Sequence, residues 1–226
     1  AMREVSRRLD APADALWDAR DAIQVPLVPP AEAVGAALSR THPSVIENTY
    51  AGANPLGPVL LVDSADSPSA GACGDSSIIL RELLAKESLP GRVLLTIVDA
   101  PAATVASGAD GTRVTVSLGG SRDPARFTPV RFAGRARRID RPVVAFGGGV
   151  GDGLTTDLGV AAVIEGDRGP DSIEGLHVLV MANSAPCYDP AIYLAADLDP
   201  RGAAAVVVKS ATNFRWTYRE IASGWI

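Results

Sequence analysis

Residues 57–84, GPVLLVDSADSPSAGACGDSSIILRELL, decide how this chain reads. The run 58–62 is short and almost wholly apolar, which fits a strand covered on both faces better than an amphipathic one. Residues 63–74 then hold two carboxylates, three serines, a proline and two glycines, with no bulky side chain. Asp75 stands where a helix N-cap belongs, its carboxylate placed to accept from the first-turn N–H groups and favoured by the positive end of the helix dipole. Ile78, Ile79, Leu80, Leu83 and Leu84 give the following helix its apolar face. Strand, polar loop and helix in this order put the loop at a strand's carboxyl end, where open α/β sheets bind ligands. A capped connection without a binding role is the alternative. A phosphate-binding P-loop is excluded, because Gly71 and Gly74 are wrongly spaced and no Gly-Lys-Ser/Thr follows.

Two further apolar runs, RVLLTIV at 92–98 and AAAVVV at 203–208, match the first. Runs 58–62, 92–98 and 204–208 are expected to share one sheet. Asp99-Ala100-Pro101 starts a helix through Ala106 that Gly108 ends, a second strand–helix unit that favours parallel strands. Between 112 and 182 the texture changes. TRVTVSL at 112–118 alternates polar and apolar residues, and short strands follow at 129–139, 142–147, 160–166 and 176–182. The fold class is therefore mixed α/β, a largely parallel sheet with a β-rich antiparallel insertion at about 112–182. Ahead of it, a helix is expected from about Ala13 with Leu16 and Trp17 as apolar contacts, then the proline-stiffened connector VPLVPP at 25–30. A second helix opens at Pro30 and stops near His42-Pro43, and 43–56 reads as a loop. His42 reads as a turn residue and His177 as structural. Short helices are expected at 191–197 and 214–222. The polar loops 63–76, 183–189 and 209–215 all leave strand ends, and in such a sheet they would meet at one edge. The glycine run 147–153, GGGVGDG, could present N–H groups to an anion, but no helix pattern follows it and a hairpin tip is favoured.

The 226 residues suffice for a sizeable core, and 47% hydrophobic with 21% charged residues is an ordinary globular balance. The net charge of −5 gives no electrostatic support to nucleic-acid binding. Positive charge is nearly all arginine, and the one basic run, Arg135, Arg137, Arg138 and Arg141, reads as a solvated strand face. Cys73 and Cys187 form no C-x-x-C pair, and with two histidines no His-rich metal site can be assembled. No apolar segment approaches the ~18 residues of a membrane span. No membrane partner is therefore expected, and a cytoplasmic location is; an oligomer is left open.

Residue types alone pose three chemistries. Asp63, Asp66 and Asp75 could act as acid/base groups or support metal ligands. Lys209 could pair with Ser210 or with a serine of the first loop. Cys73 at a helix N-terminus could be an activated thiol.

Three separated motifs also resemble the C-terminal domain of the microcystinase C (MlrC) family. DSADSPSAGACGDSS followed by LRELL, at 63–84, is similar to that family's D-T-A-D-N-P-G-G-G-x-x-G-D-S/T signature and its helix. Cys187-Tyr188-Asp189-Pro190 with Asp197-Leu198-Asp199-Pro200 resembles its D-P…G-I-D-P passage. Val206-Val207-Val208-Lys209-Ser210 with Phe214-Arg215 resembles its V-V-V-K-S-x-x-H-F-R segment. Ser67, Ser69 and Ala70 replace the usual Asn-Gly-Gly, and Asn213 stands where histidine is frequent. The resemblance implies the C-terminal part of a zinc-dependent peptidase or amide hydrolase. It places the zinc ligands in an N-terminal domain, with none in this chain, and reads 1–42 as that domain's trailing helices and 43–226 as the C-terminal domain. The partners it implies are that N-terminal domain and a small peptide or amide substrate. Asp66, Asp75 and Lys209 are the expected catalytic groups. Asp63, Ser64, Ser76, Ser184, Ser210, Asn213 and Arg215 are the expected substrate contacts, and Asp66 is expected to face the space that the other domain fills. A binding or regulatory module that keeps the fold without chemistry is the alternative.

Overall fold

A computed structural model describes residues 2–22, 27–40 and 42–226. In chain order the helices are α1 (Met2–Asp18), α2 (Pro30–Ser39), α3 (Ile78–Leu84), α4 (Ala100–Gly108), α5 (Ala191–Leu194) and α6 (Phe214–Thr217). The strands are β1 (Ile46–Glu47), β2 (Val59–Val62), β3 (Val93–Val98), β4 (Arg113–Leu118), β5 (Val130–Arg138), β6 (Val143–Ala145), β7 (Thr155–Asp157), β8 (Ala161–Gly166), β9 (Leu176–Met181), β10 (Ala205–Val208) and β11 (Gly224–Trp225). Residues 25 and 26 of the expected connector lie outside the described residues.

One nine-stranded sheet runs β1-β11-β2-β10-β3-β9-β8-β5-β4. The three apolar runs share it: β10 lies between β2 and β3, parallel to both. All residues of β3 and β10 are buried, as strands covered on both faces require. Alternate residues feed two cores. Leu61, Leu95 and Val207 pack with Val34 of α2, Leu80 and Leu83 of α3 and Ala103 of α4. Leu60, Leu94, Val206 and Val208 pack on the other face with Ile192, Tyr193, Phe214 and the β6–β7 hairpin residues Val144 and Phe146.

The antiparallel part continues the same sheet. β8, β5 and β4 are antiparallel to their neighbours, and β4 is the half-exposed edge that its alternation predicts. β9 differs from the expectation for 112–182: it is antiparallel to β8 but parallel to β3 over six residues, so it belongs to the parallel core. Its run of buried apolar residues is the physical reason. The arginines of β5 are solvated or ion-paired on both faces of the strand, with Arg137 near Glu165 and Asp197 and the adjacent Arg138, on the other face, against Asp140. The glycine run caps the β6–β7 hairpin, where Gly151 leaves room for the Tyr188 hydroxyl.

Four local expectations are corrected. α1 starts at Met2, and Leu16 and Trp17 are exposed rather than packed. Residues 43–56 contain β1, which is too short to leave a period and is fixed by pairing with β11. α5 ends at Leu194 and α6 at Thr217, each followed by turns. In α6 the Thr217 hydroxyl donates to the Tyr188 carbonyl at 2.5 Å, tying the helix end to the loop after β9.

Candidate functional site

Val62 and Val208 are register partners on neighbouring parallel strands, so Asp63 and Lys209 emerge side by side at the carboxyl edge. Lys209 is fully buried. Its Nζ donates to Asp63 Oδ2 at 3.0 Å and to Asp66 Oδ2 at 2.7 Å. Burial alone would lower the pKa of this ammonium, but the two carboxylates outweigh it and hold it above its ordinary value. Asp66 also accepts the N–H of Gly74 on Oδ1 and of Ser76 on Oδ2, both at 2.8 Å. One carboxylate thus closes the loop 66–76 and fixes it to β10. Gly74 has φ +80°, and a Cβ there would come within 2.8 Å of Val98 Cγ2, so glycine is required at this contact.

The polar loops do meet at one edge: Lys209 N–H donates to the Cys187 carbonyl at 3.2 Å, and Ser184 Oγ to the Cys73 carbonyl at 3.4 Å. Three expectations fail there. Asp66 is 1% exposed and points into the protein, not outward, because it is the acceptor that the loop's N–H groups and Lys209 need. Asp75 does not cap α3, whose N-cap residue is Ser77 with no side-chain capping bond. Instead Asp75 Oδ2 accepts the N–H groups of Arg122 at 2.8 Å and Asp123 at 2.9 Å, while Oδ1 is buried without a partner. Lys209 is engaged by carboxylates rather than by a serine, so no serine–lysine pair forms. The other thiol, Cys187, is pushed up to about 11 by burial, and Cys73 is half-buried in the loop.

Asp75 has an unforeseen companion in Asp99. Asp99 caps α4 through Ala102 N–H at 3.0 Å and with its other oxygen accepts Gly119 N–H at 3.0 Å. Ser77 Oγ donates to the Thr128 carbonyl at 2.7 Å. Together these bonds staple residues 119–128 over the edge and carry Phe127 to the mouth of a cavity.

That cavity, of about 430 Å³, lies beside the Lys209 cluster. Asp63, Ser64, Asp66, Ser76 and Arg215 line it, whereas Asp75, Lys209, Ser184, Ser210 and Asn213 do not. Ser210 is buried, and Asn213 precedes α6 half-buried without a capping bond. Most of the wall is apolar and was missed by sequence reading: Pro29, Pro30 and Val34 from one side, Ile78 and Ile79 from α3, and Phe127, Phe214, Trp225 and Ile226 opposite. Phe127 was the available signal, an isolated aromatic in the otherwise polar stretch GGSRDPARFTP in a chain with 5% aromatics. Arg215 stands at the rim with its guanidinium 5.7 Å from the Trp225 ring centroid and 5.9 Å from that of Phe214.

A zinc ion does not fit the residues present. Among the described residues no group of three or more His, Cys, Asp or Glu is placed to hold a metal, and Asp63 and Asp66 are both taken by Lys209. His177 lies on β9 beside Glu165, and His42 Nδ1 accepts Ser44 N–H in a turn. Neither reaches the cavity.

The family model described as MlrC C-terminus matches residues 61–226, which begins on β2 and takes in both the Lys209 cluster and the cavity rim. The chain belongs to this family. Microcystinase C of Sphingomonas sp. is 27% identical over 165 residues, 70% of this chain and 29% of that protein. A solved structure of a "Putative metallopeptidase" from Mesorhizobium sp. BNC1 is 25% identical and superposes with a TM-score of 0.74, covering 92% of this chain and 38% of that one. The MlrC-like chain thus spans well under half the length of either relative. No helix among its described residues is long and apolar enough to cross a membrane.

Proposed function

We propose that the chain is the C-terminal part of a zinc-dependent hydrolase of peptide or amide bonds, resembling microcystinase C. In this reading the metal is held by a preceding domain, and the carboxyl edge of β2 and β10 supplies the facing wall of the cleft. The observation that carries it is the cluster of Asp63, Asp66 and Lys209, in which two family motifs 143 residues apart build one charged floor beside a ligand-sized cavity. Asp63 is the most exposed member, its side chain 11% exposed against 2% for Asp66, which also lines the cavity, and 0% for Lys209. The chain's own work is then to shape the cleft, orient the substrate and hold a fixed negative floor.

The test joins this chain to the metal-binding domain that this reading places ahead of it and assays cleavage of linear and cyclic hydrophobic peptides. Chelator-sensitive cleavage restored by zinc is expected, with the separate chain inactive. A zinc-loaded two-domain protein that cleaves none of them would overturn the reading. A non-catalytic binding or regulatory module is then favoured, and one observation already points that way: Asp66 and Lys209 are fully buried and satisfy each other, so neither is free to move a proton.

A further inference from the structure

We propose that the cavity beside Asp63 is a subsite for a hydrophobic amino-acid residue bearing a free carboxylate, with Arg215 as the group that reads the carboxylate. The proposal rests on the hydrolase reading and names its substrate class: linear peptides that end in a bulky apolar residue.

The walls define what enters. Leu61, Ile79, Phe127, Phe214 and Trp225 leave an apolar space of about 430 Å³, within the ~300–1,000 Å³ typical of small-molecule sites. That space exceeds one aliphatic side chain and suits an aromatic residue with its backbone. Charge then sets the direction of entry. The floor holds two carboxylates against one ammonium, a net −1 from Asp63, Asp66 and Lys209. A ligand carboxylate is repelled from the floor, whereas an amide N–H can be accepted by Asp63. The rim has the opposite sign. Arg215 has no acidic partner among the described residues, and its guanidinium is engaged only by the Phe214 and Trp225 rings. A guanidinium held over aromatic rings keeps edge N–H groups for a carboxylate, which it can bind as a fork. Apolar group inside, carboxylate at the rim and N–H toward the floor is the one orientation that satisfies all three.

The test is calorimetric titration of this chain with N-acetyl-L-phenylalanine, its primary amide, and N-acetylglycine. The acid should bind with a Kd of about 1 mM, the scale of a fragment this small. The amide should bind about threefold to fivefold more weakly, as an exposed ion pair allows, and N-acetylglycine should not bind. Arg215→Gln should remove the preference for acid over amide while keeping the affinity for the amide, and added salt should do the same in part. Arg215 is exposed, and an unchanged melting curve of the variant shows that the fold is intact. Equal binding of acid and amide by the native chain would overturn the proposal, as would binding of N-acetylglycine as tight as that of the phenylalanine acid, or no binding by folded protein at about 10 mM of the acid. The titration reads binding only. If it fails while the two-domain protein cleaves peptides, the subsite falls and the hydrolase stands; if it succeeds while no peptide is cleaved, the hydrolase reading falls.

Discussion

The charged floor and the apolar cavity share Asp63 and Asp66, yet they are built on opposite principles. In the floor every carboxylate oxygen of Asp66 is used, by Gly74, Ser76 and Lys209, and almost none of it meets solvent. In the cavity the polar groups are few, and among the described residues Arg215 at the rim is held only by aromatic faces. A buried ion pair is costly to break from one side because the surviving partner stays buried and unpaired. A rim cation carries little of the fold and stays open to a ligand. The polar residues that look most catalytic in the sequence are thus the ones holding the edge together, and the residues free to meet a ligand are those beside them.

The largest effect expected from this contrast is on Asp66. Asp66→Ala should lower stability by about 3–5 kcal/mol, the cost of stranding a buried partner, with two loop N–H groups also left unpaired. Chemical denaturation measures it. A loss no larger than that of an exposed substitution, about 0.5 kcal/mol, would break the distinction between floor and rim.

Asp75 should rank second. Asp75→Ala removes the acceptor of two backbone N–H groups in the staple over residues 119–123, and about 1–3 kcal/mol is expected. Hydrogen exchange at Arg122 and Asp123 should rise in this variant while exchange in α3 stays as it was. Faster exchange confined to the first turn of α3 would restore the helix-cap role that the sequence suggests.

The smallest effect should come from outside both regions. Burial holds His177 below its ordinary pKa of 6.5, only partly opposed by Glu165. Its folded pKa is therefore depressed: the neutral form is favoured in the fold, and stability is complete above 6.5 and lost as pH falls from there toward the folded value. Melts between about pH 7 and about pH 5 should show this slope, and His177→Gln should flatten it. A slope that His177→Gln leaves unchanged would assign the acid sensitivity to another group.

The sheet was legible because its signals are local. Unbroken apolar runs mark β2, β3 and β10, alternation marks β4, and glycines mark the hairpin tip. The meeting of three polar loops followed from strand direction alone. Asp75 was misread because its partners lie 47 and 48 residues away, in a loop with no period, while α3 begins two residues later than a cap at 75 requires. Asp66 was misread because its three donors become visible only when the loop folds back on itself. The cavity was illegible for a related reason: its walls come from the segment before α2, from residue 127 and from β11, which only the sheet order brings together.

The most direct measurement of the floor's role is a double-mutant cycle on Asp66 and Lys209, comparing Asp66→Ala, Lys209→Ala and the pair by denaturant unfolding. Deleting both charges should cost less than the sum of the single losses by about 2 kcal/mol or more, since each single change strands the other group in the interior. Additive losses, within about 0.5 kcal/mol, would mean the two groups act independently and would contradict the account of the floor as a single buried clamp.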